Sequence, residues 1–88
     1  LTIKRQKSFS KDLSKIKMSD SHYSKYISFL ATLLNKEDLP PEARDHHLIG
    51  DYEDTREFHI SGDLILIYFT TATELVLIRI GSHSQLFN

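Results

Sequence analysis

The stretch REFHISGDLILIYF, Arg56 to Phe69, decides the fold. Strand side chains alternate between two faces, so Phe58 and Ile60 point one way while Glu57 and His59 point the other. Asp54 to Ile60 is therefore predicted as a strand with one dry face, and Ser61-Gly62 as a tight turn. The unbroken apolar run Leu64 to Phe69 predicts a central strand buried on both sides. A turn over Thr70 to Thr73 and a last strand over Leu75 to Ile80 complete an antiparallel meander.

Toward the N-terminus the pattern changes. Pro40-Pro41 stops any helix, and the segment from there to about Glu53 has neither helical nor strand periodicity. It is expected to be an ordered loop laid against the body, because it carries His46, His47, Leu48 and Gly50 and is not low in complexity. Before it, after the polar break Ser19-Asp20-Ser21, Tyr23, Tyr26, Ile27, Leu30, Leu33 and Leu34 recur at helical spacing. Phe9, Leu13 and Ile16 predict a shorter helix with Ser8 as its N-cap, ending near Met18. Residues 2 to 7 alternate weakly, as an N-terminal strand would. The expected class is α+β, one domain over residues 1–88. Its order is β-α-α-β-β-β, a two-helix hairpin packed on a mainly antiparallel four-stranded sheet.

The chain of 88 residues has no cysteine, which excludes a disulfide scaffold, a cysteine-ligated zinc site and thiol catalysis. No apolar run approaches the roughly 20 residues that cross a bilayer, and the N-terminus lacks the apolar stretch of a signal peptide. A soluble cytoplasmic protein with no membrane partner is expected, and Leu1 suggests a natural start just upstream or removed. The formal net charge of -1 hides a division. Residues 1–36 hold eight lysines and arginines against Asp12 and Asp20, while residues 37–88 hold three arginines against ten carboxylates. The basic part reads equally well as a solvated helix face or as a surface that meets RNA or an acidic partner.

Of five histidines, His46, His47, His59 and His83 fall in the C-terminal half, and His22 at the start of a helix reads as a surface residue. Asp63 opens the central strand close to His59, and a carboxylate near an imidazole orients its ring. If the strands pair as hairpins, Gly81 returns toward Asp63, so His59, Asp63 and His83 are expected to converge at one edge of the sheet. Such a cluster suits cleavage of RNA without a cofactor. One neutral imidazole takes the ribose 2′-hydroxyl proton, a protonated one gives a proton to the departing 5′-oxygen, and a cation steadies the phosphate. Arg56 and Arg79 are the cationic candidates. A zinc site is disfavoured by the lack of a His-x-x-x-His or similarly tight spacing, so no metal is expected.

Three blocks carry a family likeness. Asp45 to Gly50, Arg56 to Tyr68 and Arg79 to Phe87 resemble the YafQ-type toxins of the RelE superfamily in residue type, order and spacing. The resemblance implies a RelE-like fold and a toxin of a bacterial type II toxin–antitoxin pair. It further implies an endoribonuclease that cuts messenger RNA on the ribosome, monomeric within a hetero-oligomeric complex with a cognate antitoxin that blocks it. By the same likeness His46, His59 and His83 are the functional histidines, with Asp63 orienting an imidazole and Phe87 packing on a base. His47 stands where relatives commonly carry proline, which makes it a second candidate beside His46, and Tyr52 stands where they carry tryptophan. Two other classes remain to be separated: a ParE-like toxin acting on gyrase, which lacks this histidine set, and a catalytically inactive binding module on the same scaffold.

Overall fold

Ser19 sets the longest helix. Its side chain accepts the His22 N–H at 3.1 Å, and Asp20 follows in the first turn, where the positive end of the helix dipole favours an acid. This helix, α2, spans Asp20–Leu34 and turns Tyr26, Phe29, Leu30 and Leu33 inward. The expected stripe was therefore rotated: Tyr23 and Ile27 are 53% and 48% exposed, while Phe29 belongs to the core. The shorter helix α1, Lys7–Leu13, begins after Gln6, whose side chain makes no capping bond, and ends before Met18. The Ser8 hydroxyl, instead of capping, donates to the Ile78 carbonyl at 2.6 Å. Ile16 and Met18 still pack on the core, from the connection rather than from the helix.

The computed structural model describes residues 1–87, with Asp51 described by its backbone alone. Five strands form one sheet: β1 Thr2–Arg5, β2 His46–His47, β3 Arg56–Ser61, β4 Leu64–Thr70 and β5 Glu74–Gly81. Their spatial order is β1-β5-β4-β3-β2, with β1 parallel to β5 and the other pairs antiparallel. The central place of β4 agrees with its unbroken apolar run. The sheet has five strands rather than the expected four because His46–His47 joins its edge. A two-residue strand is too short for a period of two to show.

The helices lie on one face of this sheet, α1 against β5 and α2 against β3. Phe58, Ile60, Leu66, Tyr68 and Leu77 meet Phe9, Phe29 and Leu30 there. On the opposite face a smaller cluster of Ile65, Ile67 and Leu86 is flanked by Leu48, Tyr52 and Ile78. Leu86 belongs to a short helix, α3 His83–Phe87, which the sequence reading did not anticipate. Its start is fixed by a reciprocal cap: Gln85 N–H donates to Ser82 Oγ at 3.2 Å, and Ser82 N–H donates to Gln85 Oε1 at 2.8 Å. Gly81 makes the fold-back possible. A Cβ there would lie 2.9 Å from Gln85 Oε1 and 3.3 Å from Leu86 Cδ2. Among the described residues no helix is long and apolar enough to cross a membrane.

Candidate active site

Alternation along β3 sends Phe58 and Ile60 into the main core and leaves Glu57 and His59 on the face away from α1 and α2. Directly opposed residues of an antiparallel pair share a face. His46 is opposite Glu57 and His47 is opposite Arg56, so His46 joins Glu57 and His59 while His47 faces the other way. Register thus separates two histidines that the sequence left as equals.

Glu57 sits between two imidazoles with its side chain only 6% exposed. Its Oε2 lies 3.1 Å from His59 Nε2, and its Oε1 lies 3.7 Å from His46 Nε2. The two rings are stacked, with centroids 6.3 Å apart. Arg44 closes the circuit. Its carbonyl is 2.6 Å from His46 Nδ1, and its guanidinium Nη2 is 3.0 Å from His59 Nδ1. A guanidinium can only donate and a carbonyl can only accept, so tautomers follow. His59 Nδ1 accepts from Arg44, which leaves the His59 proton on Nε2, where it donates to Glu57. His46 Nδ1 donates to the Arg44 carbonyl. Burial, seconded by the Arg44 charge, pushes the His59 pKa below its ordinary value of 6.5 despite the pull of Glu57 in the other direction.

Arg44 reaches this position from the end of a 3-10 turn, Pro41–Ala43, in a left-handed conformation with φ of 49°. The expected cations are engaged elsewhere. Arg56 lies on the helix side, where its Nε donates to Asp45 Oδ1 at 3.1 Å and the Tyr68 hydroxyl donates to the same oxygen at 2.8 Å. A cleft of about 510 Å³ lined by Asp45, Arg56 and Tyr68 opens on that side, away from the imidazoles. Arg79 holds Asp12 through Nε and Nη2, at 2.6 and 3.2 Å, and donates to the Tyr52 hydroxyl at 3.3 Å. In both arginines bonding to a carboxylate supports the charged form.

Of His59, Asp63 and His83, expected to converge, the structure brings Asp63 and His83 into contact and links His59 to them only through a cross-strand row. His59 is opposite Ile65, and Ile65 is opposite Gly81, so one cross-strand row leads from His59 to the foot of α3. The carboxylate beside the His59 ring is Glu57 rather than Asp63. Asp63 lies before the first paired residue of β4, and its Oδ1 accepts the backbone N–H of His83 at 3.3 Å. A β-bulge between His59 and Ser61 breaks the register at this corner. Asp63 thereby anchors the first turn of α3. The His83 ring lies 4.7 Å from the Phe87 ring, and Tyr52 meets Phe87 edge-on at 5.7 Å. Phe87 remains 37% exposed, which leaves part of its ring open to a planar ligand.

Of the residues named from the sequence, the structure brings His46 and His59 together and sets His83 beside Phe87, and it adds Glu57 and Arg44, which sequence reading did not name as site residues, to the first pair. Glu57 had a signal, its shared face with His59. Arg44 had none, because its reach depends on a left-handed turn. Chemically, the face offers an exposed imidazole in His46, a cation with unused donors in Arg44, a second exposed imidazole in His83, and an aromatic ring beside it. Among the described residues no group of three or more histidines and carboxylates has the geometry to hold a metal ion.

The sequence matches the model of the YafQ bacterial toxins of type II toxin–antitoxin systems over residues 1–88. It is 36% identical over 81 residues to the mRNA interferase toxin YafQ of Escherichia coli K12, covering 90% of this chain and 87% of that one. The fold superposes on a copper-bound mutant toxin from Helicobacter pylori with a TM-score of 0.87 and 40% identity, covering 99% of each chain. It also matches a chain of the Escherichia coli DinJ-YafQ toxin–antitoxin complex, with a TM-score of 0.80 and 31% identity over 98% of this chain and 96% of that one.

Proposed function

Because the chain belongs to the YafQ family of bacterial type II toxins, we propose that it is an endoribonuclease that cuts messenger RNA on the ribosome and is silenced by a cognate antitoxin. The observation that carries this reading is the placement of His46, Glu57, His59 and Arg44 on one face of the sheet, with His83 and Phe87 at its end.

The reaction needs a base, an acid and a cation. With Nδ1 donating to the Arg44 carbonyl, a neutral His46 carries its lone pair on Nε2, and more than half of its side chain is exposed to a substrate. His46 takes the proton of the ribose 2′-hydroxyl, and the 2′-oxygen attacks the adjacent phosphorus. The P–O5′ bond breaks as His83 gives its proton to the departing oxygen, leaving a 2′,3′-cyclic phosphate and a 5′-hydroxyl. Imidazoles suit both roles because their ordinary pKa near 6.5 populates both forms at neutral pH. Arg44 spends one donor on His59 and keeps others for a phosphate oxygen. His59 serves as the link through which Glu57 and Arg44 hold each other in place. Phe87 stacks on a base, at the roughly 1–3 kcal/mol that such contacts contribute. Asp63 acts through α3, by fixing where His83 begins.

The lysines and arginines of residues 1–36 are all exposed, and this surface is the contact for ribosomal RNA or for an acidic antitoxin. His83→Ala tests the reading: it should abolish growth arrest and RNA cleavage while circular dichroism stays unchanged. Full toxicity in that variant contradicts the assignment.

A further inference from the structure

The strand that carries His46 is too short to hold itself in place. β2 is two residues long and lies at the edge of the sheet, where its pairing with β3 is confined to His46 opposite Glu57 and His47 opposite Arg56. A segment with so few backbone bonds opens easily unless something else fastens it. Two groups of the imidazole face depend on it: the His46 ring, whose Nδ1 meets the Arg44 carbonyl at 2.6 Å, and the Arg44 guanidinium, whose Nη2 lies 3.0 Å from His59 Nδ1. Arg44 adds a cost of its own. A residue other than glycine keeps a φ of 49° only where its surroundings fix it.

The residue between these two points to the opposite side of the sheet. Asp45 Oδ1 accepts from Arg56 Nε at 3.1 Å and from the Tyr68 hydroxyl at 2.8 Å, and the Asp45 carbonyl lies 3.4 Å from Arg56 Nη2. Both partners stand on paired strands inside the sheet, Arg56 on β3 directly opposite Tyr68 on β4. Tyr68 is 2% exposed, so its hydroxyl is a fixed point. Burial, seconded by the bond to Asp45, pushes its pKa well above the ordinary 10.0, and the phenol keeps the proton it donates. Hydrogen bonds to a charged carboxylate are roughly twice as strong as neutral ones. Asp45 is thus the side chain that ties the short edge segment to the rigid interior of the sheet.

We propose that Asp45 is a positioning residue for the cleavage reaction, clamped by Arg56 and Tyr68 on the helix side so that Arg44 and His46 are held on the imidazole side. This inference rests on the ribonuclease reading above. Asp45 touches neither substrate nor reacting atoms, and it neither gains nor loses a proton in the reaction. It fixes the backbone at one point, and the placement of its two neighbours follows: the carbonyl that takes the His46 Nδ1 proton, and the guanidinium that turns toward His59. Arg56, expected from the sequence to steady the phosphate itself, serves it through Asp45 and Arg44 instead.

Asp45→Asn keeps the shape and removes the charge, and Tyr68→Phe removes one hydroxyl and keeps the ring. In the ribosome-bound cleavage assay each should lower kcat about 10- to 100-fold with KM little changed, the scale expected for a catalytic group displaced by about 1 Å. Placed in a His46→Ala background, the same substitutions should cost far less, because the ring they position is gone. Equal losses in both backgrounds, the pattern of residues that only support the fold, overturn the proposal; so does full activity of both single variants. A second measurement needs no RNA. Above pH 7, ¹⁵N shifts should show wild-type His46 as the Nδ1–H tautomer, with the Nε2–H form appearing in both variants while circular dichroism stays unchanged. A wild-type His46 protonated on Nε2, or a tautomer untouched by either substitution, also overturns it. If Asp45→Asn does not fold, Tyr68→Phe alone decides. Absence of cleavage by the wild-type protein, with the ¹⁵N results as expected, contradicts the ribonuclease reading and leaves the clamp standing.

Discussion

Adjacent histidines on β2 face opposite sides of the sheet, and their truncation should separate cleanly. His46→Ala removes the exposed lone pair beside Glu57 and should lower cleavage by about 10²-fold or more. His47→Ala alters an exposed side chain on the other face, so activity should stay near wild type and stability should change by no more than about 0.5 kcal/mol. Equal loss in both variants, measured in one cleavage assay, contradicts the register given for β2. His59 adds a pH dependence. Its pKa lies below 6.5 in the fold, while the unfolded chain binds that proton near 6.5, so the folded state holds fewer protons in between. The stabilisation it carries is fully present above about pH 6.5 and is lost as pH falls through the lowered value. Urea midpoints from pH 7.5 down to 5 should therefore fall more steeply for the wild type than for His59→Gln; a steeper fall in the variant would reverse the sign. Period-two alternation was enough to put Glu57 and His59 on one face. It could not say that Glu57, and not Asp63, meets the rings, because that depends on the bulge after His59 and on the pairing of His46 with Glu57.

At the scale of elements, long periodic segments were legible and short ones were not. The α2 helix was readable from its apolar spacing and β4 from its apolar run, because each repeats its pattern over several turns or residues. The inward face of α2 was read about one position off, since Tyr23 and Ile27 are apolar enough to widen the stripe yet sit at its solvent margin. The β2 strand and the five-residue α3 helix are too brief to show a period. Even so, the pattern Ser82-x-x-Gln85 is the signature of a capping box, and it was the available clue to α3. Ser82→Ala removes the acceptor of the Gln85 N–H and should cost about 1 kcal/mol in thermal or urea unfolding. Because α3 carries both His83 and Phe87, the same substitution should also reduce cleavage. A variant as stable and as active as the wild type would show that the cap does not hold the acid in place.

Across the whole molecule, the net charge of -1 conceals the arrangement that matters. Lys4, Arg5, Lys7, Lys11, Lys15, Lys17, Lys25 and Lys36 are exposed on β1, α1, α2 and their connections, whereas the acidic half builds the strands and loops of the imidazole face. Sequence reading saw this division and could not place it in space. The two layers of packing explain the placement. The helices and the dry face of β3 and β4 make the main core, which leaves the opposite face to the short α3 and the loop before β3. His46, Arg44 and His83 are all exposed to solvent. Cations on that face are few, so the proposed function assigns RNA contact to the basic half and to the ribosome.

The central claim is imidazole acid–base cleavage of messenger RNA, and the chemistry of the cut ends reports on it most directly. Message recovered from a ribosome-containing translation extract treated with the wild-type toxin should carry 2′,3′-cyclic phosphate and 5′-hydroxyl ends. The same extract treated with correctly folded His83→Ala should yield intact message. Ends bearing a 3′-hydroxyl and a 5′-phosphate, or full cutting by His83→Ala, would contradict the account.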